Sequence, residues 1–438
     1  MILLGAGSSA PFGIPTMKGF VSKIETDVSA GNDENEKKLI SLLKESMEHA
    51  KEYVGTSFTY DLESLMAVLE SLAEKRPSVP AMAFVCHASS TGLITKPKFA
   101  DAEEKFGKTA RTLLVKVKKL VFQEAVKPVK ERQEMLAKDL DKLYGPLFML
   151  LAATYAEADI EKLSNTRYTN WIFTTNWDSC IEKWIKYRDY PLNDGMRPNS
   201  QGERVLNVDA GWGEGNNFNV VPIHGAVTWI KTTRQAIDGK KEDILKIYPE
   251  FGKEEMAESI FIIYPLEAIG YESVVRSPYL EMLRWLKEKL RDDDTIFVIG
   301  FSFRDPTVAS VFEDALRVRK SDWTALEVEL EERVMAASKH KTKRKIVVLD
   351  SNRGQVLENV KEFYNLHHAI IPIKMELPSV GSPTFDKDYA KTLLDLGSDL
   401  GKLFGREAFI KNCLKKISEM WGFVFPTDTD DGEILLPR

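Results

Sequence analysis

Residues 1–10 read MILLGAGSSA, a short apolar run that enters a glycine-rich turn. The run predicts a buried strand, and Gly5 and Gly7 permit a tight turn with close backbone approach to a pyrophosphate, whose charge then faces a helix N-terminus. A plain turn is the alternative. A dehydrogenase would continue with a second strand ending in an acidic residue about 20 residues on. Residues 25–29, ETDVS, follow no strand, so the pattern favours a nucleotide site but not a dehydrogenase.

Composition sets broad limits on the protein. The 438 residues include 60 Lys plus Arg and 66 Asp plus Glu, a net charge of −6 that predicts no direct binding of nucleic acid or anionic membrane. The three cysteines, Cys86, Cys180 and Cys413, form no CxxC pair. They exclude a disulfide framework and predict no zinc ribbon, and they fit a reducing cytoplasm. The longest nearly apolar run, residues 145–156, is shorter than the roughly 20 residues of a membrane span.

The chain changes character along its length. Helical periodicity over residues 31–165 predicts an all-helical insertion, with two long helices separated near Pro128. Four short apolar runs follow, alternating with helical patterns; they lie at residues 171–173, 220–223, 295–299 and 345–349. This alternation predicts an α/β fold, a doubly wound, mostly parallel Rossmann-like sheet that the N-terminal strand joins. Residues 378–438 are expected to be a helical C-terminal segment.

Polar residues follow several of the predicted strands, where ligands bind in such sheets. In residues 174–178, TTNWD, Asn176 can hold ribose hydroxyls and Asp178 can accept a hydrogen bond from an amide. Capping of the next helix is the alternative for both residues. His224, next to a glycine after another strand, can act as a general base near neutral pH, or it is a structural histidine.

Two later strand ends carry weaker signals. In residues 300–306, GFSFRDP, Gly300 and Ser302 can line a nucleotide, whereas Asp305 before a proline is typical of a helix cap. In residues 349–353, LDSNR, Asp350 or Asn352 can bond an adenosine ribose, and a simple turn is the alternative. Adjacent His367 and His368 have no carboxylate or thiol cluster near them in sequence, so no metal site is predicted there.

The order of these motifs is more specific than any one of them. GAGSS with GIP, then TTNWD, then HG, then GFS, then a strand ending in DSN, resembles the sirtuin family and its NAD-binding fold. The resemblance covers about half of the chain, residues 1–20 and 170–355. It implies that residues 1–30 and 166–377 together form the NAD-binding domain, with residues 31–165 inserted.

The resemblance also implies roles for single residues. The residues that would line NAD are Ala6, Gly7, Ser8, Ser9, Ile14, Pro15, Thr16, Thr175, Gly300, Ser302 and Asn352. Within this set the GAGSS loop would touch the phosphates, Ile14 and Pro15 would lie near the nicotinamide, and Ser302 and Asn352 would contact the adenosine half.

Three residues would carry the catalytic roles that the resemblance implies. Asn176 would hold the nicotinamide ribose and position a water, Asp178 would bind the carboxamide, and His224 would be the base.

Two departures distinguish the chain from the protein-deacylating sirtuins. Those enzymes carry a zinc module with two CxxC pairs after the HG motif, and no cysteine lies between His224 and Gly300 here. Their GIP is followed by Asp-Phe-Arg, but residues 16–18 are TMK. The helical insertion, residues 264–265 (YP) and the GFSFRDP turn are instead similar to sirtuin-like domains of prokaryotic antiviral defence proteins. That branch implies NAD hydrolysis, gated by a phage-derived trigger or by a partner such as a translocase ATPase. The helical segments suggest a homo-oligomer. An NAD-dependent protein deacylase without zinc and a non-catalytic sensor of NAD or ADP-ribose are the alternatives.

Overall fold

The computed structural model describes residues 1–54, 60–74, 78–154, 170–199, 202–207, 212–213, 218–235, 241–247, 260–262, 278–293, 295–316, 345–427 and 434–436. The strands, in chain order, are β1 (Ile2–Leu4), β2 (Asn170–Thr174), β3 (Leu192–Asn193), β4 (Met196–Pro198), β5 (Arg204–Leu206), β6 (Phe218–Pro222), β7 (Gly225–Gln235), β8 (Lys241–Ile247), β9 (Ile260–Ile262), β10 (Thr295–Ile299), β11 (Lys345–Asp350) and β12 (Ile370–Lys374). The helices are α1 (Met17–Ala30), α2 (Glu34–Val54), α3 (Leu62–Glu74), α4 (Val79–Ser90), α5 (Phe99–Ala152), α6 (Cys180–Tyr187), α7 (Tyr279–Asp292), α8 (Pro306–Leu316), α9 (Arg353–Asn359), α10 (Tyr364–Ala369), α11 (Phe385–Phe404) and α12 (Glu407–Trp421).

Within the described residues, seven strands form one parallel sheet in the order β12-β11-β10-β1-β2-β6-β3. The predicted α/β Rossmann-like fold is therefore confirmed, and the N-terminal strand lies at its centre. Leu3 and Leu4 of β1 are buried on opposite faces of the sheet, as a strand covered on both sides requires. Strands β2 and β10 flank β1, and the chain winds away from it in both directions. The crevice at such a reversal point is where ligands bind in doubly wound sheets.

Helices cover both faces of the parallel sheet. On one face, α11, α12 and the C-terminal half of α5 share an apolar core with alternate residues of the strands. On the other face, α7, α8, α9 and α10 contribute to a second core. Among the described residues, five further strands on either side of His224 in the chain form an antiparallel sheet in the order β4-β5-β8-β7-β9. The sequence patterns did not predict this sheet.

The predicted helical region is present between β1 and β2. Helices α1 to α4 and the N-terminal half of α5 enclose a third core, so α1 packs with the helices that follow it in the chain. The predicted break near Pro128 is wrong, because α5 runs unbroken from Phe99 to Ala152. A proline inside a helix costs about 3 kcal/mol. Burial on both sides of it offsets this cost, since Val121 lies in the helical core and Leu147 in the core under the sheet.

Candidate functional site

The loops after β1 and β10 meet at the centre of the sheet edge. The Gly5 amide donates to the Ile299 carbonyl at 2.9 Å, and the Gly7 amide donates to the Gly300 carbonyl at 3.0 Å. The Gly300 amide in turn donates to the Leu349 carbonyl at 2.9 Å, which extends the contact to β11. Gly7 and Gly300, which were predicted separately to line the nucleotide, are thus in direct contact at the crevice.

Glycine is required where these two loops touch. A Cβ on Gly7 would lie 2.9 Å from the Cα of Gly300, and a Cβ on Gly300 would lie 2.5 Å from the amide nitrogen of Ser8. Gly300 also has a φ of +63°, a left-handed conformation that glycine adopts without strain. The absence of side chains therefore lets the two loops pack backbone against backbone.

Asn176 joins the end of β2 to the same loop. Its side-chain Nδ2 donates to the hydroxyl oxygens of Ser8, at 3.1 Å, and Ser9, at 2.9 Å. The Thr175 amide donates to the Leu4 carbonyl at 3.0 Å, which fixes the strand end beside β1. Asn176 Oδ1 is buried and makes no hydrogen bond with any residue that the structure describes. A buried amide oxygen of this kind can accept a hydrogen bond from a ligand hydroxyl.

Tyr144, on α5, contacts the GAGSS loop. Its hydroxyl donates to the Ser8 carbonyl at 3.2 Å, and its ring lies 5.6 Å from that of Phe12. Burial raises the pKa of Tyr144 well above its ordinary value, so the phenol is a neutral donor. Sequence reasoning missed this contact, because the periodicity of α5 marks Tyr144 as a core residue without showing which loop it reaches.

His224, which follows β6, is paired with a carboxylate. Its Nε2 lies 2.9 Å from Oδ2 of Asp305, and each of the two side chains is only 3 % exposed. The other oxygen of Asp305 accepts hydrogen bonds from the amides of Thr307 at 2.8 Å and Val308 at 3.2 Å. The predicted helix-cap role of Asp305 is therefore confirmed, whereas its contact with His224 was not predicted.

The loops that carry Asn176 and His224 are neighbours. The Ile223 amide donates to the Thr174 carbonyl at 2.8 Å, and the Val227 amide donates to the Trp177 carbonyl at 2.9 Å. These bonds continue the pairing of β2 with β6 beyond the strands themselves. An amide that is anchored on the glycine loop and an imidazole that is anchored on a carboxylate therefore lie at adjacent strand ends.

The helical region also reaches this part of the sheet. Arg304, just before Asp305, lies 3.7 Å from Asp61 at the start of α3. Glu63 lies in the same place, and burial together with the charges of Asp61 and Asp305 raises its pKa well above the ordinary range, an effect that Arg304 partly offsets. The residues that precede α3 thus connect the helices to the partner of His224.

Three other predicted site residues have local contacts, and for Asp178 this contact is the helix cap that was the alternative. Asp178 accepts a hydrogen bond from the Cys180 amide at 2.9 Å, which starts α6. Thr16 is exposed and accepts a hydrogen bond from the Gly19 amide at 3.4 Å as the cap of α1. Ile14 is 7 % exposed and belongs to an apolar core.

The predicted adenosine-side residues lie farther along the sheet edge. Asn352 is exposed and accepts a hydrogen bond from the Gln355 amide at 3.1 Å, so it caps α9. The Ser302 carbonyl accepts a hydrogen bond from Nδ2 of Asn359 at 2.6 Å, which ties the GFS loop to the end of α9.

Ala6 and Pro15 are half-buried beside the glycine loop. Residues 264–265, which carried part of the resemblance, lie outside the described residues.

In the described ranges no three His, Cys, Asp or Glu side chains group in a way that could hold a metal ion. Cys86 is exposed, and Cys180 and Cys413 are buried free thiols. None of the helices in the described part of the chain combines the length and apolarity needed to cross a membrane.

Residues 170–346 match the sequence profile of the SIR2-like domain. Over this stretch the chain is similar to the SIR2-like domain. The predicted resemblance to the sirtuin-like family is thereby confirmed for the stretch that holds Asn176, His224 and Asp305. The match begins at β2, so the GAGSS loop joins this domain through the contacts described above. Comparison with curated proteins gives no match. Proteins with a SIR2-like domain bind NAD, which points to an NAD-related function for this chain.

Proposed function

We propose that the chain is an NAD⁺ glycohydrolase, which releases nicotinamide and ADP-ribose. The observation that carries this proposal is the position of Asn176, whose Nδ2 bonds to the serines of the GAGSS loop while its buried Oδ1 makes no bond to any described residue. Asn176 thus lies between the GAGSS loop, which we propose binds the phosphates, and His224, the proposed base at the next strand end. A side chain in this position is suited to binding the nicotinamide ribose.

Two features of the site support NAD as the substrate. The loop after β1 lies at the central crevice of a doubly wound sheet, where the pyrophosphate of a dinucleotide binds, and Gly5 and Gly7 let this loop pack directly against the loop after β10. The orphaned Oδ1 of Asn176 suits a ribose hydroxyl, which donates a hydrogen bond.

The chemistry needs positioning more than a strong nucleophile. The bond between ribose C1′ and the pyridinium nitrogen breaks, and both electrons stay on nitrogen, so nicotinamide leaves as a neutral molecule. The transition state is oxocarbenium-like, as in other glycoside cleavage. A water held by Asn176 forms the new C1′–O bond, and His224 takes the proton that this water loses.

Water is favoured over an acyl-lysine as the acceptor. The stretch between His224 and Gly300 holds no cysteine, and its described parts are strands β7 to β9 and helix α7. The zinc module that flanks the peptide channel in deacylating sirtuins therefore has no counterpart in the sequence. This supports hydrolysis, with NAD-dependent deacylation as the alternative outcome of the test.

We further propose that the activity is gated and serves antiphage defence through NAD depletion. The ion pair of Asp61 with Arg304 supports gating, because it connects the helical region to the loop that holds Asp305. A homo-oligomer, a phage-derived trigger or a partner protein acting on the helices would then change the position of this loop.

Purified wild-type protein and two variants provide the test. Asn176→Ala removes the bridging amide, and His224→Gln keeps a hydrogen-bonding group near Asp305 but has no basic nitrogen. We expect calorimetry to show NAD binding by the wild type, and release of nicotinamide to fall at least about 100-fold in both variants. His87→Gln is the matched control. His87 also faces a carboxylate, that of Glu45 at 3.8 Å, but it belongs to helix α4 and not to the proposed site.

Each outcome separates one reading from the others. Undiminished activity in both Asn176→Ala and His224→Gln would refute the assigned site. Formation of 2′-O-acyl-ADP-ribose from an acyl-lysine peptide would identify a deacylase, and NAD binding without turnover under every activating condition would favour a sensor. In cells challenged with a panel of phages, we expect NAD to fall with the wild type and to stay constant with Asn176→Ala. Equal NAD levels in both strains would contradict the defence role.

A further inference from the structure

We propose that Asp305 is the positioning residue of His224, which holds the imidazole in the tautomer with a proton on Nε2 and leaves Nδ1 as the basic nitrogen. The turnover part of this proposal rests on the proposed function. The tautomer part does not, because it can be measured on the protein without substrate.

The contact is short and protected from water. Nε2 of His224 lies 2.9 Å from Oδ2 of Asp305, and both side chains are almost completely buried. A buried imidazole whose nitrogen faces a carboxylate oxygen donates its N–H to that oxygen, because an ionised carboxylate can only accept. The remaining nitrogen then carries a lone pair.

The carboxylate itself is held in place by backbone. Oδ1 of Asp305 accepts from the amides of Thr307 and Val308 in the first turn of α8. Donors of this kind, at a helix N-terminus, hold the carboxylate oxygen and fix the rotation of the carboxylate. Oδ2 is therefore aimed at His224 by the start of α8 and not by the loop that carries the histidine.

The two oxygens of Asp305 have separate tasks, and this makes the proposal testable. The helix cap uses Oδ1 alone, so capping does not explain the position of Oδ2. In the hydrolysis proposed above, the ring gains a proton on Nδ1 and becomes a cation. The negative charge of Asp305 beside Nε2 stabilises that cation in a site with little water.

Asp305→Asn separates these tasks. The amide oxygen can keep both backbone hydrogen bonds of the cap, and the amide NH₂ then faces Nε2. Because NH₂ can only donate, Nε2 has to become the acceptor and the ring proton moves to Nδ1. The variant should therefore fold normally and present His224 in the wrong tautomer.

Asp33→Asn is the matched control. Asp33 caps α2 in the same way, since its Oδ1 accepts from the amides of Asn35 at 2.9 Å and Glu36 at 3.3 Å. The same substitution at a cap without a histidine measures what the loss of a capping charge alone does to stability and turnover.

The first measurement is nitrogen-15 NMR of protein labelled only at its six histidines. The signals of His224 are those missing from His224→Gln. We expect the Nε2–H tautomer in the wild type and in Asp33→Asn, and the Nδ1–H tautomer in Asp305→Asn. A wild-type His224 protonated on Nδ1, or an unchanged tautomer in Asp305→Asn, would overturn the proposal whether or not the chain hydrolyses NAD.

The second measurement is the rate of nicotinamide release. With Asp305→Asn, kcat should fall about 10²- to 10⁴-fold, the range for loss of a general base or of its correct tautomer, while KM for NAD stays within about twofold. Asp33→Asn should retain wild-type kcat. Two results would refute the positioning role of Asp305. One is a changed tautomer in Asp305→Asn with no fall in kcat, and the other is an equal fall in kcat in the control Asp33→Asn. If the wild type shows no hydrolysis either alone or with extract of phage-infected cells, the proposed function fails and the NMR result alone decides the pairing.

Discussion

The contact between the loops after β1 and β10 predicts a large effect of one methyl group. In Gly300→Ala the new Cβ would lie 2.5 Å from the Ser8 nitrogen and 2.6 Å from the Gly7 carbonyl carbon. All of these neighbours are backbone atoms, so no flexible side chain can move away. Either the two loops separate or residue 300 leaves its left-handed conformation, and both responses disturb the crevice at the centre of the sheet edge.

The size of this effect has two parts. A non-glycine residue in the left-handed region, here with a φ of +63°, costs about 1–2 kcal/mol. Forcing an extra carbon into a packed contact adds about 1–3 kcal/mol. The free energy of unfolding should therefore fall by about 2–5 kcal/mol, a large share of the roughly 5–15 kcal/mol that is typical of a folded domain.

Gly422→Ala isolates the first part. Gly422 has a φ of +75° after α12, and nothing lies within 4 Å of its hypothetical Cβ. Urea unfolding of the intact chain, followed by tryptophan fluorescence, should show a loss of only about 1–2 kcal/mol for Gly422→Ala. Calorimetry should show weakened NAD binding for Gly300→Ala alone. If Gly300→Ala is destabilised no more than Gly422→Ala and binds NAD normally, the proposed loop contact is wrong.

Two further predictions concern buried charge. Burial raises the pKa of Glu182 to about 8, so between about pH 4.5 and 8 the folded chain keeps a proton that the unfolded chain has released. The free energy of unfolding should therefore fall as the pH rises through this window, and Glu182→Gln should make this fall smaller. Urea unfolding midpoints at pH 5 and pH 8 measure the effect. The same change between the two pH values in the wild type and the variant would show that Glu182 is not a buried neutral carboxyl. Asp141 accepts hydrogen bonds from Trp184 at 3.1 Å, Trp421 at 3.0 Å and Arg188, so Asp141→Ala should destabilise by about 2–3 kcal/mol. The control is Asp386→Ala, which removes an exposed ion pair with Lys142 and should change stability by less than about 1 kcal/mol. If both variants lose the same stability, the hydrogen bonds of Asp141 contribute no more than an exposed ion pair.

The strand ends were the part of the molecule that the sequence predicted best. Continuous apolar runs ending in glycine or polar residues mark buried parallel strands, and β1, β2, β6, β10 and β11 all follow this pattern. Strand β12 was missed because Pro372 interrupts its apolar run. It lies at the edge of the sheet, where a missing N–H costs little. Of the antiparallel strands, β8 (KEDILKI) is rich in charged residues, and β7 (GAVTWIKTTRQ) has no clear apolar alternation.

The site was predictable only as separate motifs. Asn176 and His224 could be selected because each follows a strand, but a local pattern cannot show which distant residue their side chains meet. Asp305 was interpreted as a cap from its neighbour Pro306, and its second oxygen had no local signature. Tyr144 was equally hidden, since its contact with Ser8 depends on how α5 packs against the sheet.

The product formed in water enriched with oxygen-18 tests the proposed activity most directly. Purified protein, alone and with extract of phage-infected cells, is incubated with NAD and an equal concentration of acyl-lysine peptide, and the products are resolved by mass spectrometry. We predict nicotinamide together with ADP-ribose that carries one oxygen-18 atom on C1′, formed by the wild type and not by Asn176→Ala. Acyl-ADP-ribose as the main product, or labelled ADP-ribose formed equally by Asn176→Ala, would contradict hydrolysis at this site.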